Sequence, residues 1–248
     1  MIAYDLHIHS CLTARADNDM TPQAIIDKAV ENGLDIIALT DHNSMRNVGV
    51  ASELARDRIA FLPGVEVESS EEVNVVCVFP DMRSAVRMQK IVQANLHDKK
   101  NKPAKFGHQY IVDEDGDIDE EDKLLSFPTK MTIEEIFYAA RQMGGAAFYA
   151  TLDQKAYSVV SVLGTIPKRP EPKAIEYTNS EAGKRFLEKK GKAIDKPVFF
   201  NSNAHRLADI NTRENSADLE ELGADIRDEA GNVTAEAFID WLRAQPGI

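Results

Sequence analysis

The sequence predicts an α/β fold with a largely parallel sheet and helices packed outside it. Three observations carry this. Short apolar runs alternate with stretches of helical periodicity. Polar, chemically able residues recur where an apolar run ends, as when ligands gather at the C-terminal ends of parallel strands. The 248 residues, 43% of them hydrophobic, can bury the core of one large α/β domain. We read residues 1–248 as that single domain.

The elements follow in order. Asp5 to Ser10 continues a buried strand begun by Ile2, Ala3 and Tyr4. Its His7 and His9 share a face, because strand side chains alternate with period 2. Ser10 to Met20 is polar. Thr21-Pro22 then caps a helix with an apolar stripe of Ile25, Ile26, Ala29 and Val30, ended by Gly33. Asp35 to Leu39 is a short strand followed by Thr40-Asp41-His42-Asn43, and a helix is expected over Arg46 to Arg56. Further strands run from Phe61 to Glu68 and from Val73 to Phe79, then a helix with Val86, Ile91, Val92 and Leu96.

Residues 98–130 break the rhythm with acidic runs at 113–117 and 119–122. They lack EF-hand spacing, so a solvated excursion or lid is expected. Thr132-Ile133-Glu134-Glu135 is a capping box. Ala146 to Ala150, Lys173 to Tyr177 and Pro197 to Phe200 are strands. Ala156 to Leu163 and Glu181 to Lys190 are helical. Leu222 to Ile226 is a candidate edge strand, and Thr234 caps a last helix that buries Phe238, Trp241 and Leu242.

The formal charge of −12 argues against a broad nucleic-acid footprint but allows an anionic substrate beside a bound cation. Only Cys11 and Cys77 are cysteines, and there is no secretory apolar region, which suits free thiols in a reducing cytoplasm. No apolar run reaches the length of a membrane span.

His7, His9, His42, His205 and Glu66 fall at strand ends, with Asp17 and Asp41 beside such ends. One such residue is explained as a cap, and Asp41 and Asn43, ahead of a helix, fit that explanation. The whole set is not so explained, because a barrel brings its strand ends to one rim. Imidazole with carboxylate suits Zn, Mn or Fe.

Asp5-Leu6-His7-Ile8-His9-Ser10, Thr40-Asp41-His42, Gly64-Val65-Glu66 and Ser202-Asn203-Ala204-His205 together resemble the signature regions of the PHP (polymerase and histidinol phosphatase) family. The resemblance implies a distorted (β/α)7 TIM-like barrel and a metal-dependent phosphoesterase with up to three ions. It places His7, His9 and Glu66 in one metal site, with Asp17, His42 and His205 in another. Three positions depart from the family pattern. Asn74 and Thr151 stand where histidine is usual, and Asn203 where aspartate is usual. The first two replace both imidazoles of a middle site, and Asn203 keeps an oxygen but loses a charge. One or two ions are therefore expected rather than three. Lys155, Arg15 and Arg206 are the candidates to meet a phosphate.

Two functions follow as expectations. One is hydrolysis of a small phosphomonoester or nucleotide phosphodiester by metal-bound hydroxide at a reduced site. The other is a catalytically silent relative that binds a metal or an anionic ligand. His97 and His108 lie outside the signatures, and His108 is expected to be an exposed loop histidine rather than a replacement ligand.

Overall fold

The computed structural model describes residues 1–190, 196–217 and 226–245. Its strands are β1 (Ile2–Ile8), β2 (Ile36–Leu39), β3 (Ala60–Glu68), β4 (Asn74–Val78), β5 (Tyr110–Val112), β6 (Ile118–Glu120), β7 (Ala146–Tyr149), β8 (Ile175–Thr178), β9 (Val198–Asn201) and β10 (Ser216–Ala217). Its α-helices are α1 (Pro22–Glu31), α2 (Val48–Ala55), α3 (Met82–Ala94), α4 (Pro103–Phe106), α5 (Ile133–Gln142), α6 (Val159–Leu163), α7 (Glu181–Lys190) and α8 (Ala235–Ala244).

The main sheet runs β10-β1-β2-β3-β4-β7-β8-β9. It curls until its ends meet: Ile8 bridges Ala204 in parallel, and the Leu6 amide donates to Asn201 Oδ1 at 3.0 Å. The result is a nearly closed seven-stranded barrel, with β10 a short antiparallel flap on Ile2 and Ala3. The expectation of a parallel sheet needs one correction. β4 runs antiparallel to both β3 and β7. The short turn at Ser69–Val73, closed by the Ser69 amide on the Val73 carbonyl, leaves no room for the crossover that a parallel partner requires.

Alternation along the strands makes two cores. The barrel interior is filled by Tyr4, Leu6, Ile36, Ala38, Leu62, Val76, Phe148 and Phe199, and plugged from below by Phe238, Ile239, Trp241 and Leu242 of α8. The outer faces of the strands pack on Ile25, Ile26 and Ala29 of α1, Val48 and Ala51 of α2, Met88 and Val92 of α3, and Ile136 and Ala140 of α5. The apolar plug occupies the lower barrel and leaves the C-terminal rim to polar side chains.

Local rules account for the helices. Thr21 Oγ1 accepts from the Ala24 amide with Pro22 in the first turn, and Thr132 and Glu135 close the expected capping box on α5. Val30 is off the buried stripe of α1, 40% exposed. Helix α2 starts two residues later than expected, at Val48, because Asn47 turns its side chain to other work: it donates to Ser10 Oγ and the Tyr110 carbonyl, and accepts from the Val112 amide. Of the expected 222–226 strand, only Ile226 lies within the described residues.

The 98–130 segment is both anchored and solvated. Gln109, Leu125 and Thr129 are buried, while 113–120 is exposed. The β5–β6 hairpin is bound to the loop after β1 through the Tyr110 amide on the Cys11 carbonyl. Asp113 Oδ1 accepts from the amides of Asp115 and Asp117, a self-satisfied turn. Among the described residues no helix is long and apolar enough to cross a membrane.

A histidine cluster at the barrel rim

Strand β1 changes register against β2 between Asp5 and Ile8. Leu6 below that irregularity belongs to the interior core and Ile8 above it to the outer one. The shift re-aims the strand so that His7 and His9, both fully buried, face inward at the top. Glu66 enters from β3, whose Gly64 passes so close to its neighbours that a Cβ would sit 2.8 Å from Thr40 Cγ2 and 3.0 Å from the Leu39 carbonyl. His42 follows β2, and Asn203 and His205 follow β9. Asn203 takes a left-handed backbone, φ 51°, which asparagine tolerates.

These residues converge. His9, His42 and His205 form one donor group, and His7, His9 and Glu66 another. Within each, the ligand atoms all lie within 4.8 Å of one another. Glu66 is the hub: Oε1 lies 3.4 Å from His7 Nε2, and Oε2 lies 3.5 Å from His9 Nε2 and 3.1 Å from His42 Nδ1. His7 Nε2 and His42 Nδ1 are buried without a hydrogen-bond partner. Such orphaned nitrogens beside a carboxylate suit a cation, since a buried polar atom left unpaired is costly. His9 Nε2 also lies 2.9 Å from Asn203 Oδ1.

The electrostatics favour the same reading. Burial holds His9, His42 and His205 below the usual imidazole range, with neighbouring histidines adding repulsion. They are therefore neutral imidazoles at neutral pH. Burial also opposes charge on His7, but the Glu176 and Glu66 carboxylates outweigh it and raise its pKa. Burial pushes Glu66 up as well, yet His42 and His7 hold it down at about 2. It stays ionised.

The rim opens into a cleft of about 160 Å3 lined by Thr13, Arg15, Glu66, Glu68, Ser126 and Tyr157, among others. Ser126 belongs to the 98–130 segment, so that segment forms one wall. Of the expected phosphate contacts, Arg15 lines the cleft. Lys155 is exposed and outside it, with its neighbour Gln154 on the wall instead. Arg206 is also outside, held by Asp209 at 2.8 Å. Asp17 is exposed and in neither donor group; its backbone amide donates to the His205 carbonyl. His108 pairs with Glu120 at 2.9 Å on the hairpin, away from both groups.

The substituted positions are informative. Asn74 donates from Nδ2 to Glu66 Oε1 at 3.0 Å, and its Oδ1 is buried without a partner. Thr151 is buried with φ 24°. Asp41 does not cap a helix. It accepts from the Ser10 amide and hydroxyl and from Thr13 Oγ1. Asn43 ties the 98–130 segment to β3, donating to the Leu125 and Phe127 carbonyls and accepting from the Glu68 amide.

Two carboxylates escaped the sequence reading. Glu176 on β8 is fully buried, with Oε1 2.8 Å from His7 Nδ1. Glu68 lies on the cleft wall, its pKa pushed up to about 7 by burial and by the Glu66 and Glu72 charges. Alternation was the available signal for both. Glu176 stands between Ile175 and Tyr177 of the outer core, and Glu68 follows Val67 of the same core.

Comparison with known proteins gives the following. The family model described as PHP domain matches residues 5–124. The chain is 33% identical over 81 residues to the 5'-3' exoribonuclease Rnm of Escherichia coli K12, covering 30% of this chain and 27% of that protein. It is 39% identical over 71 residues to the 3',5'-nucleoside bisphosphate phosphatase of Chromobacterium violaceum, covering 28% and 24%. The match thus spans about a quarter of each relative. Among solved structures, PsfC from Pseudomonas syringae superposes with a TM-score of 0.55 at 15% identity, over 96% of this chain and 87% of that one. The distorted barrel is therefore a known fold.

Proposed function

We propose, for a chain whose residues 5–124 belong to the PHP domain family, that the rim cluster holds one or two divalent ions, Zn, Mn or Fe, and that the protein hydrolyses phosphoesters of a small phosphorylated substrate. The observation that carries this is the pair of donor groups sharing His9. His7, His9, Glu66, His42 and His205 would hold the ions, with Asn203 Oδ1 as a neutral addition. Asp17 would join only by turning in from its exposed position.

A divalent ion bound there supplies Lewis acidity toward a phosphoryl oxygen and lowers the pKa of a bound water. The chain's own residues do the rest. Glu66 gives the negative charge against which a cation is held. Arg15 on the cleft wall meets the phosphate charge and orients it. Lys155 and Arg206 reach it only if their loops move. Ser126 and Tyr157 limit the cleft to a volume that suits a phosphate with a small neighbouring group. Asn74 and Thr151 bring no imidazole, so a three-ion centre is not expected. Buried, free Cys11 and Cys77 accord with the cytoplasmic location we propose.

The test is metal content per chain by elemental mass spectrometry, on protein purified without chelator or polyhistidine tag. Turnover of a phosphomonoester, a nucleoside bisphosphate and a short oligonucleotide with each metal follows. One or two equivalents with turnover of a small substrate is expected. No metal after reconstitution, or no turnover of any substrate, overturns the reading. The oligonucleotide belongs in the panel because one relative is named an exoribonuclease.

A second reading, a silent metal or anion binder, is favoured by one contact. The Asn74 amide already occupies Glu66 Oε1, where a further ion would otherwise compete. Metal uptake without turnover would select it.

A further inference from the structure

We propose that Thr13, Asp41 and Glu176 are positioning residues that fix His7 and His9 as Nδ1–H tautomers, so that both Nε2 lone pairs face the donor cluster. The proposal deepens the reading of that cluster as a metal centre and rests on it for its purpose. The tautomer itself follows from hydrogen-bond accounting.

For His9 the accounting is closed. Its Nδ1 lies 3.2 Å from Thr13 Oγ1. A hydroxyl has one proton and two acceptor lone pairs. The Thr13 proton goes to Asp41 Oδ1 at 2.9 Å, and one lone pair accepts from the His42 amide at 3.3 Å. An ionised carboxylate only accepts, and Asp41 is held in place by the Ser10 amide and hydroxyl, each at 2.6 Å. The remaining lone pair of Thr13 can only accept, so His9 carries its proton on Nδ1.

His7 reaches the same state through β8. Glu176 Oε1 lies 2.8 Å from His7 Nδ1, both residues fully buried. Glu176 Oε2 has no partner, so this carboxylate's one side-chain hydrogen bond among the described residues is to His7. A buried carboxylate devoted to one imidazole orients the ring and raises its basicity at the other nitrogen. It leaves Nε2, the orphaned atom, turned toward Glu66.

His9 Nε2 then faces Asn203 Oδ1 at 2.9 Å, two acceptors in contact. A cation between them relieves this, as does turning the Asn203 amide so that its NH2 donates. Either way the proton is not on Nε2.

Long-range 1H–15N spectra of the imidazoles test this directly, first on metal-free protein at alkaline pH and then with zinc. His7 and His9 are expected as Nδ1–H rings. Thr13→Val should release the tautomer of His9 alone, with Thr13→Ser restoring it. Glu176→Ala should release that of His7 alone, with Glu176→Gln, which keeps an acceptor, restoring it. Zinc affinity by chelator competition should fall roughly 10- to 100-fold in Thr13→Val and Glu176→Ala and recover in the conservative variants. A wild-type His7 or His9 protonated on Nε2, or an unchanged spectrum in Thr13→Val and Glu176→Ala, overturns the proposal. If either variant fails to fold, the wild-type spectra still decide. Protein that binds no zinc but has both rings as Nδ1–H sinks the metal reading and leaves the tautomer assignment standing.

Discussion

Asn203 Oδ1 is a neutral oxygen set against the histidine cluster, 2.9 Å from His9 Nε2. Asn203→Asp adds a charge at the same place, on a backbone conformation aspartate also tolerates. Divalent affinity should rise on the order of tenfold, read by chelator competition; unchanged affinity would mean that Asn203 does not face the ion. The thiols give a second expectation. Burial pushes Cys11 up to about 12, with Asp41 adding to it, and burial alone pushes Cys77 higher. Both should react slowly with Ellman's reagent in native protein at neutral pH and promptly in denaturant. Fast native reaction of Cys11, which lies 3.8 Å from the Tyr110 carbonyl, would mean that the hairpin lifts away. At this scale His7, His9, His42, Glu66 and His205 were legible because strand ends announce themselves by an apolar run that stops. Asp17 rests on the family resemblance, and Lys155 and Arg206 on their charge. Their direction depends on loop paths that no periodicity encodes. Glu176 carries no local motif, and only its inward register on β8 makes it part of the site.

Helix α5 shows how much a local rule can fix. Thr132→Ala removes the cap that Thr132 and Glu135 form and should cost about 1 kcal/mol in urea denaturation. Hydrogen bonds from Thr132 hold the Glu135 carboxyl below its ordinary range. Its contribution is therefore present above the unfolded carboxylate pKa and lost as pH falls through the lower folded one. The wild-type advantage over Glu135→Gln should shrink on acidification through that window and not on going alkaline. Caps and stripes were readable in the sequence for the same reason: they involve neighbours three or four residues apart. The antiparallel direction of β4 was not. A run such as Val73 to Phe79 has the same alternation in either direction, and only the length of the connection from β3 decides.

The whole barrel is plugged at one end and open to a stabilising ligand at the other. At the bottom, Phe238 is fully buried and packs on Phe199 at 6.1 Å and Trp241 at 5.5 Å between ring centroids. Phe238→Ala should cost about 3–5 kcal/mol, measured by urea unfolding. At the top, an ion held at the rim as proposed would bind the folded chain. At a concentration a hundred times its Kd it should add about 2.7 kcal/mol, seen as a rise in Tm that EDTA reverses and that His9→Ala abolishes. The alternation of elements made the α/β class readable and the family resemblance implied the barrel, whereas closure has no signal along the chain, because the Ile8–Ala204 bridge joins the two ends of the ordering. That bridge has a consequence for biosynthesis. His7, His9, His42 and Glu66 leave the ribosome early, but Asn203 is 194 residues beyond His9. A nascent chain therefore carries four of the six candidate ligands, with β1 paired to β2 but its other edge open, until β9 has been translated. Folding upon emergence is thus penalised for the half that the family match covers, and the assembly of the centre is timed by the arrival of β9.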